Sequence, residues 1–159
     1  MEQDRTEPRR ETIELPFPPS LNNYYTPHRM GGPNGRVSVG LTKAAKEYRV
    51  AVLAALLQRY GVRSGIGRPE TCEPLFDCRV EVAIEFHAPT RASRDLDNYL
   101  KGLFDGLTHA NFWTDDRLVD VLAIRRGPIV KGGRIDLVVT EIPEVLGGLF
   151  GDSEKLSEL

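Results

Sequence analysis

The segment RDLDNYLKGLFDGL, Arg94 to Leu107, sets Asp95 and Asp97 one residue apart and places Lys101 four residues beyond the second aspartate. Downstream, FWTDD adds the adjacent pair Asp115 and Asp116. Two carboxylates brought to ~4 Å repel by on the order of 4 kcal/mol at a surface-type effective dielectric. A fold that gathers both clusters therefore needs compensation, either a shared proton or a divalent cation. Oxygen ligands with no cysteine beside them suit Mg²⁺ or Mn²⁺ rather than zinc. Incomplete carboxylate coordination leaves room for water and a phosphate oxygen, as metal-assisted phosphodiester hydrolysis requires. Lys101 would then orient a phosphate or stabilise charge that develops in the transition state. Arg91 and Arg94, just upstream, would track a phosphate backbone.

Each feature also has a purely structural explanation. Asp95 can cap a helix and Asp97 can complement its dipole. Asp115 and Asp116 can form an Asp-rich turn, Lys101 can be an exposed helix partner of Asp97, and the two arginines can simply be solvated. Other candidates offer less. His28, His87 and His109 share no ligand spacing, and Ser20 and Ser93 lack a recognisable base partner. Asn111 to Trp113 read as a turn packing on the neighbouring helix rather than as a platform for bases. Cys72 and Cys78, without a second Cys/His pair, are a poor basis for zinc.

The acids depend on the elements that hold them. Leu96, Leu100, Leu103, Phe104 and Leu107 fall in one stripe at 100° per residue, so a helix starting near Asp95 buries that side against a sheet. Asp95 and Asp97 cannot share a face within a continuous helix, because two residues rotate by about 200°. They can meet if Asp95 is the N-cap. Asp115 and Asp116 precede a strand apolar on both faces (Leu118, Val119, Val121, Leu122), expected to be buried beside that helix and to bring both acidic clusters to one sheet edge.

An earlier strand is expected over Ile13, Leu15 and Phe17, ended by Pro16, Pro18 and Pro19, with a polar Gly/Pro-punctuated loop after it. A first helix follows from Leu41, with Thr42 as N-cap and Gly61 as stop. Residues 61–77 read as a loop, and CRVEVAIEF alternates as a strand from Cys78. Two last strands, around Arg117 to Arg126 and Arg134 to Ile142, are expected to be joined as a hairpin at VKGG. The order β-α-β-α-β-β predicts an α+β domain in which two helices cover one face of a mixed sheet.

With 159 residues and one composition regime, a single domain is expected over residues 11–143. Residues 1–10 form an N-terminal extension, and residues 144–159 an acidic tail with four acids against Lys155. Removing both leaves a slightly basic core, compatible with a nucleic-acid partner. No apolar run approaches the ~20 residues of a membrane span. MEQDRTEPRR lacks a secretory signal, so a cytoplasmic protein with reduced cysteines is expected.

In this order, LPFPPSLNNYYTP, RDLDNYLKGLFDGL, FWTDD and KGGRIDLVVTEI resemble the RusA family of Holliday junction resolvases. The resemblance covers roughly Glu11 to Pro143. Its most specific part is the joined D-L-D-N, the lysine four residues after the second aspartate, and the downstream D-D. It implies a RusA-like fold and a homodimeric, Mg²⁺-dependent endodeoxyribonuclease that makes paired nicks across four-way DNA junctions in recombination and repair. Residue by residue, it implies that Asp95, Asp97 and Asp116 are metal-binding catalytic carboxylates, with Lys101 as their essential basic partner. Asp115, their neighbour, is a further candidate metal ligand, and Asn22, Asn23 and Tyr25 belong to a segment near the DNA. Two symmetric scissile strands give a physical reason for a two-fold dimer. The alternatives are a junction-binding accessory protein that does not cleave and a nuclease selective for forks or flaps.

Overall fold

The computed structural model describes residues 7–31 and 34–143; the acidic tail lies outside the described residues. The first strand, β1 (Arg10–Pro16), is followed by a 3-10 turn at Leu21–Asn23 and a hairpin of β2 (Tyr25–Met30) and β3 (Arg36–Leu41). Helix α1 (Lys43–Tyr60), strand β4 (Val80–His87) and helix α2 (Asp97–His109) come next. A 3-10 turn at Asp116–Leu118 then leads into β5 (Val119–Arg126), and β6 (Arg134–Glu141) is last.

The main sheet has the order β1-β6-β4-β5. β6 runs antiparallel to both of its neighbours, while β4 and β5 are parallel. Parallel neighbours need a crossover, which α2 supplies. This βαβ unit is what carries Asp97, at the start of α2, and Asp116, just before β5, on consecutive segments. The fold is thus α+β with a mixed sheet and two helices, as the sequence pattern predicts.

Period-two burial explains the sheet. Ile13 and Leu15 of β1, Val80, Val82, Ile84 and Phe86 of β4, and Ile135, Leu137 and Val139 of β6 all turn inward. α1 answers with Ala45, Tyr48, Val52 and Leu56, and α2 with Tyr99, Leu103 and Leu107. Two glycines decide how closely α2 is approached. A Cβ at Gly102 would lie 3.1 Å from the Tyr24 ring, and one at Gly106 would lie 3.3 Å from Tyr48 and from Val52. Their small size seats α1 and the Tyr24 segment tightly against α2.

Thr42 caps α1 as expected, its hydroxyl accepting from Ala45 N at 3.1 Å. The same Oγ1 donates to Asn23 O at 2.7 Å, tying the helix start to the turn before the hairpin. Thr42→Ala is expected to lower stability by about 1 kcal/mol, measured by denaturant unfolding. Gly61 stops the helix at φ 78°. Asn111, at φ 57°, turns the chain after α2 so that Phe112 and Trp113 are fully buried. The Trp113 ring packs edge-on to Phe104 at 5.3 Å, the packing turn anticipated for this segment.

Four expectations need correction. Residues 20–36, read as a loop, contain β2 and the start of β3; Pro27, Gly40 and the exposed positions of this hairpin leave no clear period-two signal. VKGG is not a hairpin turn, because β4 lies between β5 and β6. The segment instead crosses the end of β4, where the buried His87 donates through Nδ1 to Pro128 O (2.9 Å) and contacts Asp136 through Nε2 (2.9 Å). β5 is not buried: it is an outer strand whose Val121 and Leu122 are 46% and 41% exposed. Finally, α2 begins at Asp97 after Leu96, which already has helical dihedrals, and no side chain caps it. Asp95 lies before that cap.

Candidate active site

Asp97 opens α2, and Lys101 follows one helical turn later, about 5.4 Å along the axis. Both side chains are exposed, as is Asp95. Lys101 Nζ does not turn back toward Asp97. It reaches forward to Asp105 Oδ1 at 2.7 Å and across to Asp116 Oδ2 at 3.7 Å. The lysine thus joins the helix to the second acidic cluster. Hydrogen bonding to Asp105, aided by the charges of Asp105 and Asp116, raises the Lys101 pKa, so the group is cationic at neutral pH.

Asp105 is the residue that sequence reasoning missed. Its side chain is only 15% exposed and receives partners from three elements. Tyr25 Oη, at the start of β2, donates to Oδ2 at 2.8 Å. Arg49 Nη2, from α1, lies 3.8 Å from Oδ2, and Arg49 Nε donates to Tyr24 Oη at 3.0 Å. Burial and the bond to Asp105 both raise the Tyr25 pKa, so its hydroxyl remains a donor. The Lys101/Asp105 spacing of four was legible, but only the tertiary fold brings Arg49 and Tyr25 onto that carboxylate.

The other predicted residues fall into two groups. Asn22 and Asn23 are exposed on the turn beside Tyr25, and Arg91 is exposed in the loop before α2. Arg94 is turned back on its own loop, donating to Thr90 O (3.0 Å), Ala92 O (2.9 Å) and Thr90 Oγ1 (2.9 Å). Arg126 donates to Arg94 O, adding a tie from β5. Arg94 therefore shapes the segment that delivers Asp95 and Asp97. Asp115 is engaged likewise, its Oδ1 accepting from Arg117 N at 3.0 Å to cap the 3-10 turn that presents Asp116.

Asp95, Asp97 and Asp116 supply hard, solvent-accessible oxygen donors, which suit a divalent cation such as Mg²⁺. Among the described residues, no group of three or more His, Cys, Asp or Glu side chains stands close enough to hold a metal. The chemistry of the donors fits such an ion, although the three carboxylates are not drawn together in this structure.

The family model described as Endodeoxyribonuclease RusA matches residues 16–140. A protein from Escherichia coli O139:H28, named Crossover junction endodeoxyribonuclease RusA, is 38% identical over 131 residues, covering 82% of this chain and 94% of its own. Relatives with the same name occur in Enterobacteria phage 82, at 38% identity over 82% of this chain and 93% of the relative, and in Shigella sonnei, at 37% over 82% and 94%. The matched region contains every candidate acid and Lys101.

Proposed function

Because the chain belongs to the RusA family of endodeoxyribonucleases, we propose that it resolves four-way DNA junctions by hydrolysing one phosphodiester in each of two opposed strands. The observation that carries this reading is the Lys101 ammonium held between Asp105 and Asp116, one turn after Asp97 on an exposed helix start. Asp95, Asp97 and Asp116 are the residues that would hold Mg²⁺, with Asp115 shaping the turn beneath Asp116. When bound, that cation supplies Lewis-acid polarisation of the phosphate and a more acidic attacking water. Lys101 lends its positive charge to the phosphate oxygens as negative charge accumulates on them. Asn22, Asn23, Tyr25 and Arg91 provide contacts to the strand, and those from neutral side chains fix register more than they add charge.

Paired nicking calls for two sites, and the free edge of β5 is the surface that supports a homodimer. Its outer edge has no strand partner among the described residues, and it exposes Val121 and Leu122 between Asp120 at one end and Arg125 and Arg126 at the other. Antiparallel pairing of two copies about Ala123 would set Asp120 opposite Arg126 and keep the acidic sites at opposite ends. An exposed apolar edge strand otherwise invites aggregation. Light scattering at micromolar concentration is expected to give the mass of two chains, and Leu122→Lys to give one. A monomer for the unaltered chain, free and on DNA, contradicts the paired-site reading.

The site of action fits a reducing cytoplasm. Cys72 and Cys78 are both free, and no helix among the described residues is long and apolar enough to cross a membrane. Cleavage of four-way, fork, flap and linear duplex DNA side by side in Mg²⁺ tests the substrate. Preference for the four-way junction is expected; equal or better cleavage of forks or flaps assigns a different branched substrate, and binding without cleavage removes the nuclease reading.

A further inference from the structure

We propose that Asp105 is the positioning residue of the nuclease site: it fixes the Lys101 ammonium beside Asp116 and leaves one N–H of that ammonium for the substrate phosphate. The proposal rests on the reading of Lys101 as a donor to the reacting phosphate and assigns the residue that makes it one.

Four observations support the assignment. The Lys101/Asp105 contact, at 2.7 Å, is a direct hydrogen bond, whereas the Asp116 contact, at 3.7 Å, is an ion pair only. The anchor of the lysine is therefore Asp105. Second, the two Asp105 oxygens are divided: Oδ1 takes Lys101, and Oδ2 takes the Tyr25 hydroxyl with Arg49 nearby. The carboxylate cannot rotate without breaking a second contact, so the direction in which it holds Lys101 is set by β2 and α1.

Third, helix stability gives little reason for the pair. A lysine four residues N-terminal to an acid is the less favourable order for the helix dipole. Fourth, a lysine side chain samples many rotamers, and a free one 49% exposed to solvent would keep that freedom. A half-buried, cross-braced acceptor removes that freedom before substrate arrives. An ammonium has three N–H donors; one is bonded to Asp105, a second faces Asp116, and the third is open on the exposed side.

The test is a double-mutant cycle on the full-length protein, using Asp105→Asn, Lys101→Ala and the double variant. Single-turnover cleavage of a saturating synthetic four-way junction in Mg²⁺ is read beside the junction Kd and the unfolding midpoint. A misplacement of about 1 Å can cost ~100-fold, so Asp105→Asn is expected to slow cleavage by about that factor with Kd changed less than twofold. In the Lys101→Ala background the same substitution is expected to change the rate less than threefold, because the group it aims is gone. Equal losses in both backgrounds overturn the proposal and assign Asp105 a role independent of Lys101. A near-normal rate for Asp105→Asn beside a slow Lys101→Ala overturns it too, showing that the lysine needs no anchor. A near-normal rate for Lys101→Ala instead overturns the underlying reading of the lysine itself. Asp105→Glu, which keeps the charge that faces Arg49 and Tyr25, provides the same cycle if the asparagine variant does not fold.

Discussion

Asp97→Asn is expected to abolish cleavage while leaving four-way junction binding intact. The substitution removes one negative charge with almost no change in volume, from an exposed first-turn position whose helix-dipole contribution is about 0.3 to 1 kcal/mol. The fold tolerates that loss. If Asp97 holds the cation as proposed, its loss should cost more than the ~10- to 100-fold typical of groups that merely support such ligands. Less repulsion between the acidic edge and the phosphates would hold or tighten junction binding. Cleavage assays in Mg²⁺ beside gel-shift binding decide the matter, and a near-normal rate removes Asp97 from the catalytic set.

Lys101→Ala carries the second large effect. The side chain is half exposed, so its ion pairs with Asp105 and Asp116 are screened by solvent and contribute on the order of 0.2 to 1 kcal/mol each to folding. Loss of one positioned donor to developing charge costs ~2.7 to 4 kcal/mol, or ~100- to 1000-fold in rate. A large fall in the single-turnover rate with a nearly unchanged unfolding midpoint is therefore expected. A fall of less than threefold at saturating junction would leave Lys101 as a surface lysine.

Local pattern carried much of this fold. Alternation in VEVAIEF and the helical spacing of α1, with Thr42 and Gly61 at its ends, are consequences of near-neighbour chemistry and survive in the structure. The failures came where tertiary partners decide. A strand with apolar residues on both faces, such as Leu118, Val119, Val121 and Leu122, looks the same whether it is buried within a sheet or exposed at its edge, and only the pairing of β4 with both β5 and β6 distinguishes the cases. For the same reason the glycines of VKGG looked like a hairpin turn although the strands they connect are not neighbours.

The candidate site was legible as a set of residue types. Asp95, Asp97, Lys101, Asp115 and Asp116 stood out by charge and spacing, and the ion pair from Lys101 to Asp116 links the two segments. Their division of labour was not legible. Asp115 and Arg94 are occupied with backbone contacts that shape the turn and the loop, and Asp105 gains its importance from Tyr25 and Arg49, residues 80 and 56 positions away in the chain. No local pattern reports such a convergence.

Paired incision of a symmetric junction is best read on a supercoiled plasmid that extrudes a cruciform. Two nicks placed across the junction before the protein departs convert the plasmid to the linear form, whereas independent nicks relax it to an open circle first. The expected result is direct conversion to linear DNA in Mg²⁺, with nicks mapped to symmetry-related positions in opposed strands. Accumulation of open circle as the first product, or nicks without that symmetry, would rule out paired incision.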